Sequence, residues 1–203
     1  MKRYLEKAMT FAEYLKKIDD LLAAGKTTGP DQSESKVYFG KLNRHRMKRL
    51  EKTIRLDEDF VRVVRQVQRP LIWLIITEGW CGDAAQNIPA IEKMAAENPL
   101  IRTRYLLRDE NPELMDQYLT NGGRAIPVLI CLDGETLQPL GRWGSRPRAI
   151  QRYFLELKEA GIEKAERDEL IQRCYLADRE KSIQADFAEM LTRCGHKTRT
   201  ARA

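Results

Sequence analysis

The chain has 203 residues, of which 42% are hydrophobic and 33% are charged, and its formal net charge is +6 at pH 7. This length suits one α/β domain with an appendage and is short for two full domains. The longest apolar run is strand-sized, well below the roughly 20 residues that span a bilayer, and the charged first residues do not resemble a secretion signal. We therefore expect no membrane partner and a cytoplasmic location.

The N-terminal part of the chain is predicted to be helical. Apolar residues recur at helical spacing over residues 3 to 24, which predicts one amphipathic helix. Further helices are predicted over about 35 to 51 and over 58 to 67. Between them, residues 52 to 56 are the candidate for the first strand of a sheet.

The centre of the chain alternates between strand and helix patterns. A near-continuous apolar run over residues 71 to 77 is typical of a strand buried on both faces. The predicted elements that follow are a helix over 81 to 97, a strand over 101 to 107, a helix over 112 to 119, strands over 127 to 132 and 137 to 142, and a helix over 147 to 160. This order predicts an α/β fold with a mixed sheet covered by helices on both faces.

The flanks of this alternating region are predicted to be helical extensions. Residues 163 to 193 have the charged pattern of one or two helices. We therefore divide the chain into an N-terminal helical extension over 1 to 54, a central α/β domain over 55 to 160 and a C-terminal helical extension over 161 to 203.

The four cysteines, Cys81, Cys131, Cys174 and Cys194, are scattered and form no Cys-x-x-Cys pair. Such spacing argues against a disulfide framework and fits free thiols in a reducing compartment. The two histidines lie far from any cysteine cluster, so we expect no metal site and no cofactor.

Basic residues concentrate over residues 41 to 55 and in the tail over 197 to 202. A basic stripe can neutralise nucleic-acid phosphates, but solvated helix faces have the same composition. We do not expect a nucleic-acid partner, because no nucleic-acid-binding motif accompanies the charge.

Three segments of the central region resemble thioredoxins. Residues 80 to 84, Trp-Cys-Gly-Asp-Ala, follow a predicted strand and open a helix, and they resemble the Trp-Cys-Gly-Pro-Cys site. Residues 108 to 112 resemble the loop after the third thioredoxin strand. Residues 123 to 129, with the hairpin at Asp133, resemble the cis-proline segment and its hairpin. The resemblance is closest to a bacterial thioredoxin-like group with helical flanks and a Trp-Cys-Gly-Asp signature, and it implies that the domain over 55 to 160 has the thioredoxin-like fold.

The chemistry expected of Cys81 follows from its position at a predicted helix start. Unpaired backbone N–H groups and the helix dipole stabilise a thiolate there, and the thiolate is the species that attacks disulfides. We therefore expect an exposed Cys81 with a lowered pKa, more reactive than the other three cysteines.

A substrate groove is implied around this cysteine. Trp80 supplies an apolar rim and Gly82 leaves space for a substrate backbone. The resemblance implies a cis peptide bond between Ile126 and Pro127, with Pro127 beside Cys81. The Ile126 backbone can then pair with an extended substrate.

Three residues depart from the thioredoxin pattern. Ala84 replaces the second cysteine, so no neighbouring thiol can resolve a mixed disulfide. Asp83 replaces the usual proline and places a negative charge near the thiol. Ile75 stands where thioredoxins carry a buried aspartate, which removes the expected proton acceptor.

Two functions stay open on this basis. The first is monothiol thiol–disulfide exchange, in which Cys81 acts on protein or small-thiol disulfides and an external thiol completes the reaction. The alternative is a redox-inactive thioredoxin-fold module that binds a protein partner through the groove at Trp80 and Pro127 or through its helical flanks.

Overall fold

A computed structural model describes residues 1–195, so the basic tail over 197 to 202 lies outside the described residues. Within this range four strands form one sheet in the order β2-β1-β3-β4. The strands are β1 (Leu71–Thr77), β2 (Ile101–Leu107), β3 (Val128–Asp133) and β4 (Pro139–Gly144). β2 is parallel to β1, whereas β3 is antiparallel to both β1 and β4. The predicted mixed sheet is confirmed.

Helices account for most of the remaining chain. They are α1 (Lys2–Leu5), α2 (Phe11–Ala23), α3 (Glu34–Thr53), α4 (Glu58–Arg65), α5 (Gly82–Ala96), α6 (Pro112–Met115), α7 (Arg148–Glu159), α8 (Lys164–Asp178) and α9 (Lys181–Cys194), with a 3-10 helix at Asp116–Tyr118. The C-terminal extension is thus two helices. No helix described in residues 1–195 is both long and apolar enough to cross a bilayer.

The predicted single helix over residues 3 to 24 is wrong, because the chain forms two helices with a break between them. Thr10 caps α2, where its hydroxyl accepts a hydrogen bond from the Glu13 backbone and Glu13 accepts one from the Thr10 backbone. Before this capping box, Met9 forms two backbone hydrogen bonds with Tyr105 at the edge of β2, of 2.8 and 2.9 Å. Helical spacing cannot reveal this interruption, since apolar residues on both sides of it are buried.

The predicted strand over residues 52 to 56 is also wrong. α3 continues through Thr53, and the Ile54 backbone still donates to the carbonyl of Leu50. The Ile54 side chain is buried, at 2% exposure, by helix packing. A buried apolar residue in a short segment has the same sequence pattern in a strand, which is why the prediction failed. The edge of β2 is instead contacted by the segment at Met9.

α9 covers one face of the sheet and is part of its core. Trp73, Cys131 and Gly141 are cross-strand partners on β1, β3 and β4, so they share a face. The Phe187 ring of α9 lies 5.1 Å from the Trp73 ring and 5.4 Å from the Trp143 ring, between centroids. Within the predicted C-terminal helical extension, α9 therefore packs directly on the sheet.

We expect Phe187→Ala to destabilise the fold strongly. The side chain is fully buried, and removing a buried aromatic ring costs about 3–5 kcal/mol. Leu176→Ala on α8 is the control, since Leu176 is 59% exposed and should change the free energy of unfolding by less than about 0.5 kcal/mol. Urea denaturation measures both; equal, small effects would contradict a core role for α9.

Candidate functional site

Cys81 lies at the junction of β1 and α5, as predicted. The chain turns after the strand, where the Cys81 backbone N–H donates to the Glu78 carbonyl at 3.2 Å. Cys81 is then the N-cap residue of α5, and its Sγ accepts a hydrogen bond from the Ala84 backbone N–H at 3.5 Å. The thiol therefore faces the unpaired N–H groups at the start of the helix.

The peptide bond between Ile126 and Pro127 is cis, which confirms the prediction. The Cys81 thiol donates a hydrogen bond to the Ile126 carbonyl, with 3.3 Å between sulfur and oxygen. Both side chains are buried. The fold thus brings the cysteine and the proline segment together from distant parts of the sequence.

The protonation state of Cys81 differs from the expectation. Burial, and after it the charge of Asp83, raise the pKa of the Cys81 thiol to about 12. The backbone N–H groups of Ala84 and Asp83 act in the opposite direction. The predicted exposed, acidic thiol is wrong, because Cys81 is only 8% exposed and desolvation outweighs the helix N-terminus. Cys81 is therefore a protonated thiol at pH 7.

Asp83 is held by two residues from the C-terminal part of the chain. The Arg146 guanidinium contacts both carboxylate oxygens, at 2.7 and 3.0 Å, and the Tyr175 hydroxyl donates to one of them at 3.0 Å. Burial raises the pKa of Asp83, while Arg146 and Tyr175 lower it. The carboxylate at the start of α5 is therefore paired within the protein, although its charge still acts on Cys81.

Two cations pack against the Trp80 ring. The Lys36 Nζ lies 3.2 Å from the centroid of the indole ring, and the Arg108 guanidinium carbon lies 4.8 Å from it. Residue 29 also approaches closely, since a Cβ added at Gly29 would lie 3.5 Å from the Trp80 Nε1. The predicted apolar rim is thus partly occupied by α3 and by the loop before it.

The space above Gly82 is filled by the protein's own helices. A Cβ added at Gly82 would lie 3.5 Å from the Gln172 Nε2 and 3.7 Å from an Arg46 guanidinium nitrogen. Beside them a cavity of about 320 Å³ opens between α3, α5 and α8. It is lined by Leu42, His45, Arg46, Arg49, Gln86, Gln172 and Leu176. The expected open space above Gly82 is therefore closed, and a basic cavity lies next to it.

A buried carboxyl group does occur near the site, at Glu78 rather than at position 75. Ile75 is fully buried in β1 as an apolar residue. Glu78 is also fully buried, and its Oε1 accepts a hydrogen bond from the Asp109 backbone at 3.0 Å. Burial raises the pKa of Glu78, whereas a hydrogen bond with Thr28 lowers it. The sequence signal was a glutamate directly after a buried strand.

The other cysteines lie apart from the groove residues named here. Cys131 is fully buried in β3, and Cys194 is buried at the end of α9. Cys174 in α8 is more exposed than either. Sequence reasoning also missed Arg146 and Tyr175. Their only signal was Asp83, because a carboxylate at a buried helix start needs a partner.

Comparison with known proteins agrees with this fold. A family model described as Thioredoxin matches residues 29–166. No curated protein matches the chain. The chain is similar in structure to a protein of unknown function from Pseudomonas aeruginosa, solved at 1.5 Å, with 18% sequence identity and a TM-score of 0.59. That match covers 91% of this chain and 98% of the other.

An HIV epitope scaffold is similar to the same degree, with 18% identity, a TM-score of 0.58 and the same coverage of 91% and 98%. At this identity the two structures show a shared fold alone. The family match spans more than half of the chain and includes the site built around Cys81 and Pro127. The chain therefore belongs to the thioredoxin family.

Proposed function

We propose that this protein carries out monothiol thiol–disulfide exchange through Cys81. The observation that carries the proposal is the 3.3 Å contact between the Cys81 sulfur and the Ile126 carbonyl at the N-terminus of α5. The thiol thereby lies beside the backbone that precedes Pro127, where an extended substrate can pair. The Trp-Cys-Gly-Asp-Ala sequence supports a place among bacterial thioredoxin-like proteins with one motif cysteine, acting in a reducing cytoplasm.

The exchange runs in two balanced steps. The Cys81 thiol loses its proton, and the thiolate attacks the small-thiol sulfur of a mixed disulfide between a protein and a small thiol, so that the S–S bond of that disulfide breaks and the protein thiolate departs. A new disulfide forms at Cys81, and the departing thiolate takes up a proton. A second small thiol, also as a thiolate, then attacks the Cys81 adduct, leaves as a small-molecule disulfide and restores the Cys81 thiol.

Substrate binding can break the hydrogen bond that the Cys81 thiol donates to the Ile126 carbonyl. In the described state the Ile126 carbonyl accepts the hydrogen of Cys81. A substrate strand that pairs with the Ile126 backbone competes for this carbonyl, so the thiol loses its hydrogen-bond acceptor as the substrate arrives. In this scheme Trp80, Ile126 and Pro127 contact the substrate.

Gly82 and Asp83 complete the proposed substrate-binding set from the start of α5. Because Arg46 and Gln172 lie over Gly82, a substrate must displace them to reach its backbone. Asp83 forms an ion pair with Arg146. It therefore influences the substrate through the shape and charge that it gives to the start of α5.

A protein-binding module is the second candidate, and the buried, protonated state of Cys81 favours it. A thiol with a pKa of about 12 is a poor nucleophile near neutral pH. The exposed Tyr38 and Phe39 of α3, at 62% and 43%, lie on the helix that also lines the basic cavity. An acidic, partly apolar partner segment suits such a surface.

The first prediction tests adduct formation. Incubation with a glutathione-type mixed disulfide should place a small-thiol adduct on Cys81 that persists until external thiol is added, because Ala84 cannot resolve it. Intact-protein and peptide mass spectrometry measure the site and lifetime. An absent Cys81 adduct, with Cys174 modified in the same sample, would reject exchange and leave the binding module.

Restoring the motif cysteine provides a matched comparison. Ala84→Cys should shorten the adduct lifetime, because the new thiol lies one helical turn from Cys81. Ala90→Cys is the control, since Ala90 is also fully buried in α5 but lies nine residues, more than two helical turns, from Cys81. Equal lifetimes in both variants would contradict the assigned geometry.

The next prediction concerns the charge of Asp83. Because Asp83 raises the pKa of Cys81 and Arg146 lowers it, Asp83→Asn should lower that pKa. Alkylation of Cys81 at pH 8 should accelerate on the order of tenfold. Asp116→Asn is the control, because this exposed carboxylate pairs with Arg124. Peptide mass spectrometry measures the rate of Cys81 labelling in each protein. An unchanged rate in Asp83→Asn would show that burial alone keeps the Cys81 thiol protonated.

A further inference from the structure

A row of three residues crosses the sheet under α9. Trp73, Cys131 and Gly141 are register partners on adjacent strands. Directly opposed residues of an antiparallel pair have Cβ positions about 4.5–5.5 Å apart on the same face. The side chain of Cys131 therefore lies next to the space that a side chain at position 141 would fill.

The sulfur of Cys194 occupies that space. A Cβ added at Gly141 would lie only 3.1 Å from the Cys194 Sγ, so the absence of a side chain at Gly141 is what admits the thiol. Cys194 is the last residue of α9, and its thiol also approaches the Leu140 carbonyl at 3.3 Å. The end of α9 thus brings its sulfur down onto the sheet beside Cys131.

The two thiols interact directly. The side chains of Cys131 and Cys194 lie close enough for each to act on the pKa of the other. The Cys131 side chain and the positive charges of Arg193 and Arg69 lower the pKa of Cys194, whereas the Cys194 side chain raises the pKa of Cys131. These opposite directions favour the thiolate at Cys194 over the thiolate at Cys131.

We propose that Cys131 and Cys194 form a second redox site, a buried dithiol that hydrogen peroxide oxidises to a disulfide joining α9 to β3. The Cys194 thiolate attacks the peroxide, its O–O bond breaks, and sulfenic acid forms at Cys194 while hydroxide leaves and is protonated to water. The Cys131 sulfur then attacks the Cys194 sulfur, the S–O bond breaks and a second water leaves with the Cys131 proton. One peroxide is reduced as two thiols are oxidised.

This site works without Cys81. Neither Trp80 nor Pro127 takes part, and the expected product is a cross-link within the chain rather than an adduct with a small thiol. Because α9 packs on the sheet through Phe187, the disulfide ties an already docked helix to the strand below it. Oxidation should therefore stabilise the folded state by restricting the unfolded chain.

The test uses the full-length wild-type protein. After treatment with hydrogen peroxide, free thiols are alkylated under denaturing conditions and unreduced peptides are mapped by mass spectrometry. The expected product links the peptides of Cys131 and Cys194 with the loss of two hydrogens, and the thermal midpoint rises. Cys81→Ser and Cys174→Ser should both retain the link, whereas Cys194→Ala should lose it together with the rise.

Three results would overturn the proposal. The first is full alkylation of both Cys131 and Cys194 at a peroxide excess that oxidises Cys174. The second is conversion of Cys194 to sulfinic acid without a cross-link. The third is a disulfide that joins Cys131 or Cys194 to Cys81. The wild-type and Cys81→Ser proteins decide the matter even if Cys194→Ala fails to fold.

Discussion

The start of α5 is buried between segments distant in sequence, and each polar group there needs a partner. Asn87 donates to the Asp83 carbonyl at 2.7 Å and to the Tyr175 hydroxyl at 2.9 Å. The Gly79 backbone is bound from the other side by Thr28, at 2.8 Å. A buried polar group without a partner costs about 1–3 kcal/mol. This requirement ties the N-terminal loop and α8 to the thioredoxin-like core.

The same burial sets the chemistry of Cys81. A helix N-terminus stabilises a thiolate, but here the negative charge of Asp83 and the loss of water act against it. The balance leaves a protonated thiol beside the Ile126 carbonyl. Under the proposed function, Cys81 reacts slowly at rest, and a substrate that rearranges the cover over Gly82 changes this balance. The flanking helices therefore belong to the site as well as to the fold.

Local sequence signals located the central elements well. The strand over residues 71 to 77 and the one over 101 to 107 agree with the structure because buried strands carry continuous apolar runs. The cis bond before Pro127 followed from the family resemblance. What the sequence could not reveal depends on contacts between distant segments: the pairing of Asp83 with Arg146, and the cover that desolvates Cys81. Position at a helix start predicts a lowered pKa only where water can reach the thiol.

Burial keeps the Cys81 thiol protonated, and a thiolate titration measures this protonation state directly. The ultraviolet absorbance of thiolate is recorded against pH for the wild-type protein and for Cys81→Ser, and the difference isolates Cys81 from the other cysteines. The account predicts a flat difference between about pH 6 and pH 9, consistent with a pKa of about 12. A step in that difference at or below about pH 8.5, the range of an unburied thiol, would contradict it.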